Sequence, residues 1–173
     1  MLELVMGPHP IFKQKAEPIA EVNDDIRQWV REMFDIMYDE GGLGIAANMV
    51  GLLKCIIVVD LQQGGVKAPL AMINPKIVTA SKEMHTTEEA SLSFPGISAH
   101  ITRPNAITVR YLDEQGQQQN LDAEGFLAVV IQHEMDYLDG KTYLDHLSKM
   151  KRDMLIRKMK KHSCGPGCGH HHH

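Results

Sequence analysis

The segment from Gly125 to Leu138 constrains the fold most strongly, because it combines a helical pattern of apolar residues with a group of polar ones. We expect it to form a helix at the centre of the domain. His133, Glu134 and Tyr137 occupy positions of the helical motif H-E-x-x-H, whose two histidines bind a metal and whose glutamate acts as a general base. The last position is a tyrosine, and a phenol with a pKa near ~10 is a poor replacement for imidazole. The segment therefore predicts a metallohydrolase-like site that lacks one ligand.

Composition places the chain among ordinary single-domain globular proteins. Its 173 residues are 43% hydrophobic and 23% charged, which is enough for one domain with a hydrophobic core. No run of roughly 18 apolar residues is present in the sequence, so no membrane-spanning helix is expected. The first residues lack the basic stretch of a secretory signal. We therefore expect a cytoplasmic protein that does not contact a membrane.

The pattern of elements predicts a single α+β domain over residues 1–162, with antiparallel or mixed sheets around the central helix. Apolar residues at helical spacing, with capping residues at the ends, predict helices. Runs of β-branched residues, and segments bounded by turn residues in which apolar and polar residues alternate, predict strands. The expected helices cover residues 24–40, 125–138 and 148–161, and the expected strands cover residues 55–61, 70–73, 76–80, 105–112 and 119–123.

The C-terminal part of the chain has two further features. Residues 163–173 contain two of the three cysteines and end in four histidines, and we interpret them as a purification tag. The remaining Cys55 lies in an apolar run, which is typical of an inert buried thiol. Residues 149–162 hold seven basic residues and one acidic residue, a net charge of +6, whereas the whole chain carries −4. This asymmetry predicts an anionic partner such as ribosomal RNA, unless the basic helix face is simply solvated.

Three short segments form a set of motifs along the chain. They are residues 42–51 (GLGIAANMVG), residues 89–93 (EASLS) and residues 132–138 (QHEMDYL). In order and spacing they resemble three motifs of the peptide deformylase family, which are a G-apolar-G-apolar-A-A-x-Q loop, E-G-C-L-S and Q-H-E-x-D-H-L. The resemblance covers about residues 5–150 and implies the α+β fold of that family.

The resemblance also implies an activity and a set of site residues. Peptide deformylases are metallohydrolases that remove the formyl group from the N-terminal methionine of new polypeptides, with iron, zinc, nickel or a similar divalent ion. Carried over to this sequence, the metal ligands fall on Ser91, His133 and Tyr137, the general base on Glu134, and the oxyanion hole on Met49 and the backbone N–H of Leu92.

Four positions within the motifs depart from the residues of the family. Ser91 replaces the cysteine and Tyr137 the second histidine, so that His133 alone remains of the three metal ligands. A serine hydroxyl stays protonated and does not supply the anionic donor that such a metal prefers. Met49 replaces the glutamine and has no N–H to donate, and losing one such donor costs about 10²–10³ in rate. Ala90 replaces a glycine where a peptide would pair. We therefore expect weak or no activity, and either no metal or a weakly held one.

Apolar residues near the motifs predict a pocket for the N-termini of methionyl or formylmethionyl peptides. The helix face that precedes His133 offers an apolar wall, and with the glycine-rich loop it resembles the methionine side-chain pocket of the family. The alternative interpretation is that these residues belong to the core. The expected substrate-binding residues are Leu43, Gly44, Ile45, Ala90, Phe126 and Val130.

Three alternatives stand beside an inactive binding protein. In the first, a Tyr137 phenolate or extra waters complete a weak metal site and the enzyme is active, since tyrosinate ligates iron elsewhere. In the second, Ser91 is a nucleophile with His133 and Glu134 behind it, although neighbours on a helix point roughly 100° apart. In the third, these four side chains form a hydrogen-bonded cluster that fills the metal cavity.

Overall fold

The computed structural model describes residues 1–163 and has an α+β fold, as the sequence predicts. Short 3-10 turns connect the helices and strands, and two of them, at Ala47–Val50 and Tyr143–His146, lie close to the motifs. The helices are α1 (Asp24–Asp39), α2 (Gly125–Leu138) and α3 (Lys149–Ser163). The strands are β1 (Gly44–Ala46), β2 (Ile56–Val59), β3 (Leu70–Ala80), β4 (Met84–Ser91), β5 (Phe94–Pro104), β6 (Ala106–Leu112) and β7 (Gln118–Glu124).

The strands within residues 1–163 form two antiparallel sheets. The larger sheet has the order β1-β2-β3-β6-β7, and the smaller one is the hairpin of β4 and β5. In the larger sheet Ile45 pairs with Val58 and Ile57 pairs with Met72. All four residues of β2 are buried, which is typical of a strand covered on both faces. The β-branched run around residues 55–61 is therefore confirmed as a buried strand.

Helix α2 lies at the centre of the molecule and contacts β1, β2, β5, β6 and β7. Nine of its residues are buried, including His133 and Glu134. The helix begins directly after β7, and Gly125 makes this turn with φ 62°, a conformation that favours glycine. Near its other end, Asn48 donates a hydrogen bond of 2.5 Å to the carbonyl oxygen of Tyr137. The predicted central helix that carries the motif is confirmed.

Helix α1 covers one side of the core and matches its prediction closely. The side chain of Asn23 accepts a hydrogen bond from the N–H of Ile26, which caps the first turn. The residues that face the core recur every three to four positions, as expected for a helix with one apolar face. Gly41, with φ 71°, follows the end of the helix and turns the chain toward β1.

Strand β3 runs through Pro75, where the sequence predicts a break between two strands. Its pairing with β6 shifts register between Ile73 and Lys76. At this point Asn74 adopts φ 51°, and its side chain exchanges two hydrogen bonds of 2.8 Å with the backbone of Ile19. This link to the N-terminal segment holds the irregular backbone, so that the two predicted strands form one strand.

The β4–β5 hairpin is an element that the sequence analysis missed. Its first strand, MHTTEEAS, is mostly polar, and Glu89 is its only buried residue. A strand is predicted from apolar residues at every second position, and β4 lacks this alternation. The hairpin nevertheless carries the second motif and brings Glu89 and Ser91 to the central helix.

The C-terminal predictions are confirmed in part. The helix expected at residues 148–161 is α3, and it packs on β5 with Met159 buried. Apart from Ser163, which ends this helix, the segment interpreted as a purification tag lies outside the described residues. Across residues 1–163 no helix is both long and apolar enough to cross a membrane.

Candidate active site

The three motif segments meet around one cavity of about 390 Å³. The cavity is lined by the segment that leads into β1, by the end of β4 and by α2. The lining residues are Gly41, Gly42, Leu43, Gly44, Met49, Glu88, Glu89, Ala90, Ser91, Leu92, Phe126, Val129, Val130, His133 and Glu134.

Ten of the twelve site residues expected from the sequence line this cavity. They are Leu43, Gly44, Met49, Ala90, Ser91, Leu92, Phe126, Val130, His133 and Glu134. The structure corrects the placement of Ile45, which is fully buried in the core. Side chains alternate along a strand, so Ile45 points away from the face that Gly44 presents to the cavity. Tyr137 lies behind Ser91 and is also fully buried.

A hydrogen bond joins the hydroxyl groups of Ser91 and Tyr137, which occupy two of the expected metal-ligand positions. The distance between their hydroxyl oxygens is 2.6 Å, and the N–H of Ser93 donates a further bond of 3.2 Å to Ser91. Burial holds the pKa of Tyr137 well above its ordinary value, and the nearby carboxylate of Glu134 adds to this effect. The ring of Phe12 packs edge-on against the Tyr137 ring. The phenol is therefore neutral and fixed in place.

His133 belongs to a buried chain of charges rather than to that hydroxyl pair. Its Nδ1 lies 2.8 Å from Glu89, and Arg103 binds the same carboxylate with two bonds of 2.7 and 2.9 Å. Arg103 also pairs with Asp136 at 2.9 Å. Burial lowers the pKa of His133, but the carboxylates of Glu134 and Glu89 raise it above its ordinary value on balance. For Glu89, burial acts in the opposite direction and raises the pKa. The hydrogen bonds from His133 and Arg103 outweigh burial and hold the pKa of Glu89 below its ordinary value.

Glu134 is also a buried carboxyl group of the cavity, but it forms no ion pair with the residues of this chain of charges. Its Oε1 is buried without a hydrogen-bond partner among residues 1–163. Its Oε2 lies against the backbone of Gly44, where an added Cβ would be only 2.6 Å away. Gly44 therefore makes room for the carboxyl group. Burial raises the pKa of Glu134 to about 7, against the opposing charge of His133.

Met49 and Leu92 occupy the expected oxyanion positions and both line the cavity. The sulfur of Met49 accepts a contact of 3.4 Å from the N–H of Ala46, and the side chain is almost fully buried. Leu92 packs closely on Gly42, where an added Cβ would be 2.6 Å from the leucine side chain. A thioether has no N–H to offer, so Met49 contributes packing here.

Comparison with known proteins decides the family. The model of the polypeptide deformylase family matches residues 1–153. The chain belongs to the polypeptide deformylase family. A protein of Rickettsia conorii named peptide deformylase-like is 51% identical, over 97% of this chain and 96% of its own. A peptide deformylase of Rhizobium meliloti is 43% identical, over 91% of each chain.

The solved structures of peptide deformylases include folds very similar to this one. The crystal structure of peptide deformylase from Ehrlichia chaffeensis in complex with actinonin superimposes with a TM-score of 0.87 at 40% identity, over 93% of this chain and 96% of its own. The resemblance found in the sequence and the α+β class expected from it are thus confirmed.

Peptide deformylases are metalloenzymes, so a divalent metal is the first cofactor to consider for this member of the family. In the part of the chain that the structure describes, no group of three or more histidine, cysteine, aspartate or glutamate side chains is arranged to hold a metal ion. The side chains at the expected ligand positions are His133, Ser91 and Tyr137, of which the last two are bound to each other.

Several residues of the site had no role in the sequence analysis. Glu89 and Arg103 are both buried and link the β4–β5 hairpin to α2. Tyr143 stacks on the ring of His133 with the centroids 5.4 Å apart. A carboxylate in the second motif, an arginine fourteen residues later and a histidine in the third motif are the signals from which this chain of charges could have been inferred.

Proposed function

We propose that this member of the family binds peptide N-termini and hydrolyses formyl groups weakly or not at all. The observation that carries the proposal is the hydrogen bond of 2.6 Å between Ser91 and Tyr137. Both side chains occupy positions where the resemblance expects metal ligands, and here each satisfies the other. The name of the similar Rickettsia conorii protein, peptide deformylase-like, agrees with a divergent branch of the family.

The donors at the expected ligand positions do not fit a divalent metal of the iron or zinc type. Such a metal binds deprotonated ligands. Ser91 offers a neutral hydroxyl, and burial holds the pKa of Tyr137 well above its ordinary value. His133 is the one imidazole, and a single imidazole recovers only a fraction of the binding energy of a full site. We therefore propose that the protein holds no metal, or holds one weakly.

The position expected to stabilise an oxyanion supports the same proposal. Met49 replaces a side chain that would donate an N–H, and its sulfur instead accepts a contact from Ala46. The loss of one oxyanion donor costs about 10²–10³ in rate. Weak metal binding and a missing donor act on the same step, so their effects combine.

Binding of peptide N-termini is supported by the cavity that remains open beside the hydroxyl pair. Val129 and Val130 provide an apolar floor, and Phe126 is 46% exposed at its edge. The backbone around Gly44 and the end of β4 both line the cavity, and strand backbone is where an extended peptide can pair. The chain thus keeps a place for an apolar first side chain.

An active deformylase with an unusual site is the second candidate. Glu134 remains at the general-base position, and a pKa of about 7 suits proton transfer near neutral pH. Close relatives such as the Rhizobium meliloti protein are named peptide deformylase. This candidate requires a metal held by His133 with ligands other than a hydroxyl pair.

A serine nucleophile has little support from the contacts of the site. Ser91 is hydrogen-bonded to Tyr137, and the Nδ1 of His133 is bonded to Glu89. A nucleophilic serine requires a bond to its base. The hydrogen-bonded cluster considered above is realised only in part, because Glu134 Oε1 has no partner among the described residues.

The proposal is tested by restoring the residues of the family. The variant Ser91→Cys, Tyr137→His, Met49→Gln is expected to hold about one equivalent of iron or zinc and to release formate from formyl-Met-Ala-Ser. The rate of this triple variant is expected to exceed that of the variant with only the other two changes by about 10²–10³-fold, because Met49→Gln restores one oxyanion donor. Elemental analysis and a formate assay measure the two results. His170–His173 are replaced by alanine in every protein compared, since a run of histidines can bind metal by itself.

The chain with no substitution other than those at His170–His173 and its Glu134→Ala variant are the controls. Both are expected to release formate at the same background rate. If the unsubstituted chain releases formate at a rate that Glu134→Ala abolishes, the second candidate replaces the proposal.

A further inference from the structure

The C-terminal residues contain a second set of side chains that can bind a metal. Two histidines and two cysteines follow one another as His162, Cys164, Cys168 and His170. Three residues separate the cysteines, and one residue separates each histidine from the nearer cysteine. In structural zinc sites two to four residues commonly separate paired cysteines, and two cysteines with two histidines complete the tetrahedral set. The four residues therefore supply the number and the type of ligands that such a site requires.

The similarity to the Rickettsia conorii protein extends into this segment. The alignment covers 97% of this chain, which leaves out about five of its 173 residues. Even if all of these residues lay at the C-terminus, the aligned part would include Cys164 and the three residues after it. A tag added for purification has no counterpart in a natural relative. The overlap thus supports a natural tail in place of the purification tag expected from the sequence.

His162 is the member of the set that the structure describes. It lies in the last turn of α3, and its side chain is exposed. Its Cβ is 3.9 Å from the position of a Cβ added to Gly96, near the start of β5. Helix α3 packs on β5 and buries Met159 there, so this end of the helix is held against the hairpin. The first ligand therefore stands on the surface of the folded domain.

The set lies apart from the cavity. None of residues 149–162 lines the cavity, whose imidazole, His133, is bonded to Glu89 through Nδ1. Within residues 1–163 no three histidine, cysteine, aspartate or glutamate side chains are grouped to hold a metal ion. A full set of such ligands in this chain must therefore include residues after Ser163. The weak or absent metal proposed above concerns the cavity alone.

We propose that residues 162–170 bind one zinc-type divalent ion through His162, Cys164, Cys168 and His170. Thiolate and imidazole are ligands that zinc prefers, and the charges of two thiolates balance that of the ion. Residues 171–173 offer three more imidazoles that can take the place of His170. This site does not depend on the proposed function, because the cavity takes no part in it.

The position of the ligands in the sequence gives the site a thermodynamic signature. All four lie within nine consecutive residues, so the unfolded chain carries the same set. An ion that binds the folded and the unfolded chain with similar affinity hardly changes the equilibrium between them. An ion in the cavity, in contrast, binds only the folded chain and raises its Tm. We therefore expect zinc to bind without a large rise in Tm.

The experiment measures zinc binding to the full-length chain in a reducing agent that does not itself bind zinc. Equilibrium dialysis and elemental analysis are expected to show one tightly bound equivalent. Cys164→Ser with Cys168→Ser is expected to weaken this binding at least about 100-fold, because serine supplies no thiolate. Cobalt is the spectroscopic probe, and its thiolate charge-transfer absorption should disappear in the same variant.

Two histidines of the β4–β5 hairpin supply the matched control. His85→Ala with His100→Ala also removes two metal-binding side chains, but at positions outside the C-terminal set. The Kd for zinc is expected to change by less than about twofold. If the two cysteine substitutions leave the affinity unchanged, the run of histidines binds the ion by itself and the inference is overturned.

His133→Ala distinguishes this site from the cavity. We expect it to leave the bound zinc and the cobalt absorption unchanged. If His133→Ala removes the zinc and the cysteine variant does not, the ion lies in the cavity and the inference is overturned. A zinc-dependent rise in Tm that His133→Ala abolishes would lead to the same conclusion. Thermal unfolding in the absence of zinc checks that each variant is folded.

Discussion

At the scale of single residues, the hydroxyl groups of Ser91 and Tyr137 join two motifs that lie 46 residues apart in the chain. Tyr137→Phe removes one partner and leaves Ser91 with only the bond from Ser93. We expect the free energy of unfolding to fall by about 0.5–1.5 kcal/mol, the usual net contribution of one hydrogen bond. Urea denaturation measures this change.

Tyr143 is a well-matched control for that substitution. It is fully buried like Tyr137, but its hydroxyl has no hydrogen-bond partner within residues 1–163. Tyr143→Phe removes an unsatisfied polar group, so its effect should be neutral or stabilising. Equal losses in the two variants would contradict the importance of the hydroxyl pair.

Glu134 gives the molecule a dependence on pH that can be measured without any ligand. Its pKa is raised from 4.5 to about 7 in the folded chain. The unfolded chain therefore ionises first as the pH rises, and native stability is lost between these two pKa values. Glu134→Gln lacks this group, so its stability relative to the unsubstituted chain should rise across that window, by about 3 kcal/mol at most.

The measurement is the free energy of unfolding of both proteins at several pH values between 4 and 8. Groups far from Glu134 contribute equally to both proteins and cancel in the difference. The pKa of His133, which the Glu134 carboxylate raises, falls in the variant and contributes to the difference as well. A difference that stays constant over this range would mean that Glu134 has the same pKa in both states.

The sequence could predict the positions of the site but not their bonds. His133, Glu134, Ser91 and Met49 were found from motif spacing, and all four line the cavity. The pairing of Ser91 with Tyr137 depends on how a strand end and a helix meet in space, which spacing does not contain. Ile45 was misplaced because the direction in which β1 presents its side chains was unknown.

At the scale of elements, the β4–β5 hairpin shows why a polar strand escapes prediction. Glu89 in β4 is buried because Arg103, from β5, binds it with two hydrogen bonds and His133, from α2, binds it with a third. The apolar alternation that indicates a strand is replaced here by an ion pair across the hairpin. Helices α1 and α2, in contrast, show helical spacing, and both were predicted closely.

Arg103 is expected to contribute much of the stability of this hairpin against α2. Arg103→Met removes the guanidinium from Glu89 and Asp136 and leaves them with His133 and His146 as their ion-pair partners. Breaking a buried pair by removing one partner costs about 3–5 kcal/mol. Chemical denaturation measures the loss. Arg110→Met on the exposed face of β6 is the control and should change stability by less than about 0.5 kcal/mol. A small effect at Arg103 would show that the hairpin is held by its apolar contacts alone.

At the scale of the whole molecule, α3 sets a basic surface on a chain that is otherwise acidic. Met159 is buried and Leu155 and Ile156 are half-buried, so deleting the helix would also disturb the fold. We propose that its basic residues contact ribosomal RNA. Lys158→Glu with Lys161→Glu should lower co-sedimentation with ribosomes several-fold, more strongly at low salt, because phosphate contacts release counterions.

The matched variant for this prediction is Lys76→Glu with Lys82→Glu. It changes the net charge by the same amount on exposed positions outside α3. Equal losses in both variants would indicate non-specific attraction, and an unchanged α3 variant would contradict the contact. The cytoplasmic location that such a partner requires stays a prediction.

The hydroxyl pair of Ser91 and Tyr137 also affects how the protein matures. An enzyme that needs a metal at this point is complete only after it has found an ion, and it competes for iron or zinc with every other protein of the cell. Two hydroxyl groups that satisfy each other are present as soon as the chain has folded. Under the function proposed above, the molecule reaches its working shape during iron starvation, and oxidants that attack a metal-bound thiolate find a serine in its place.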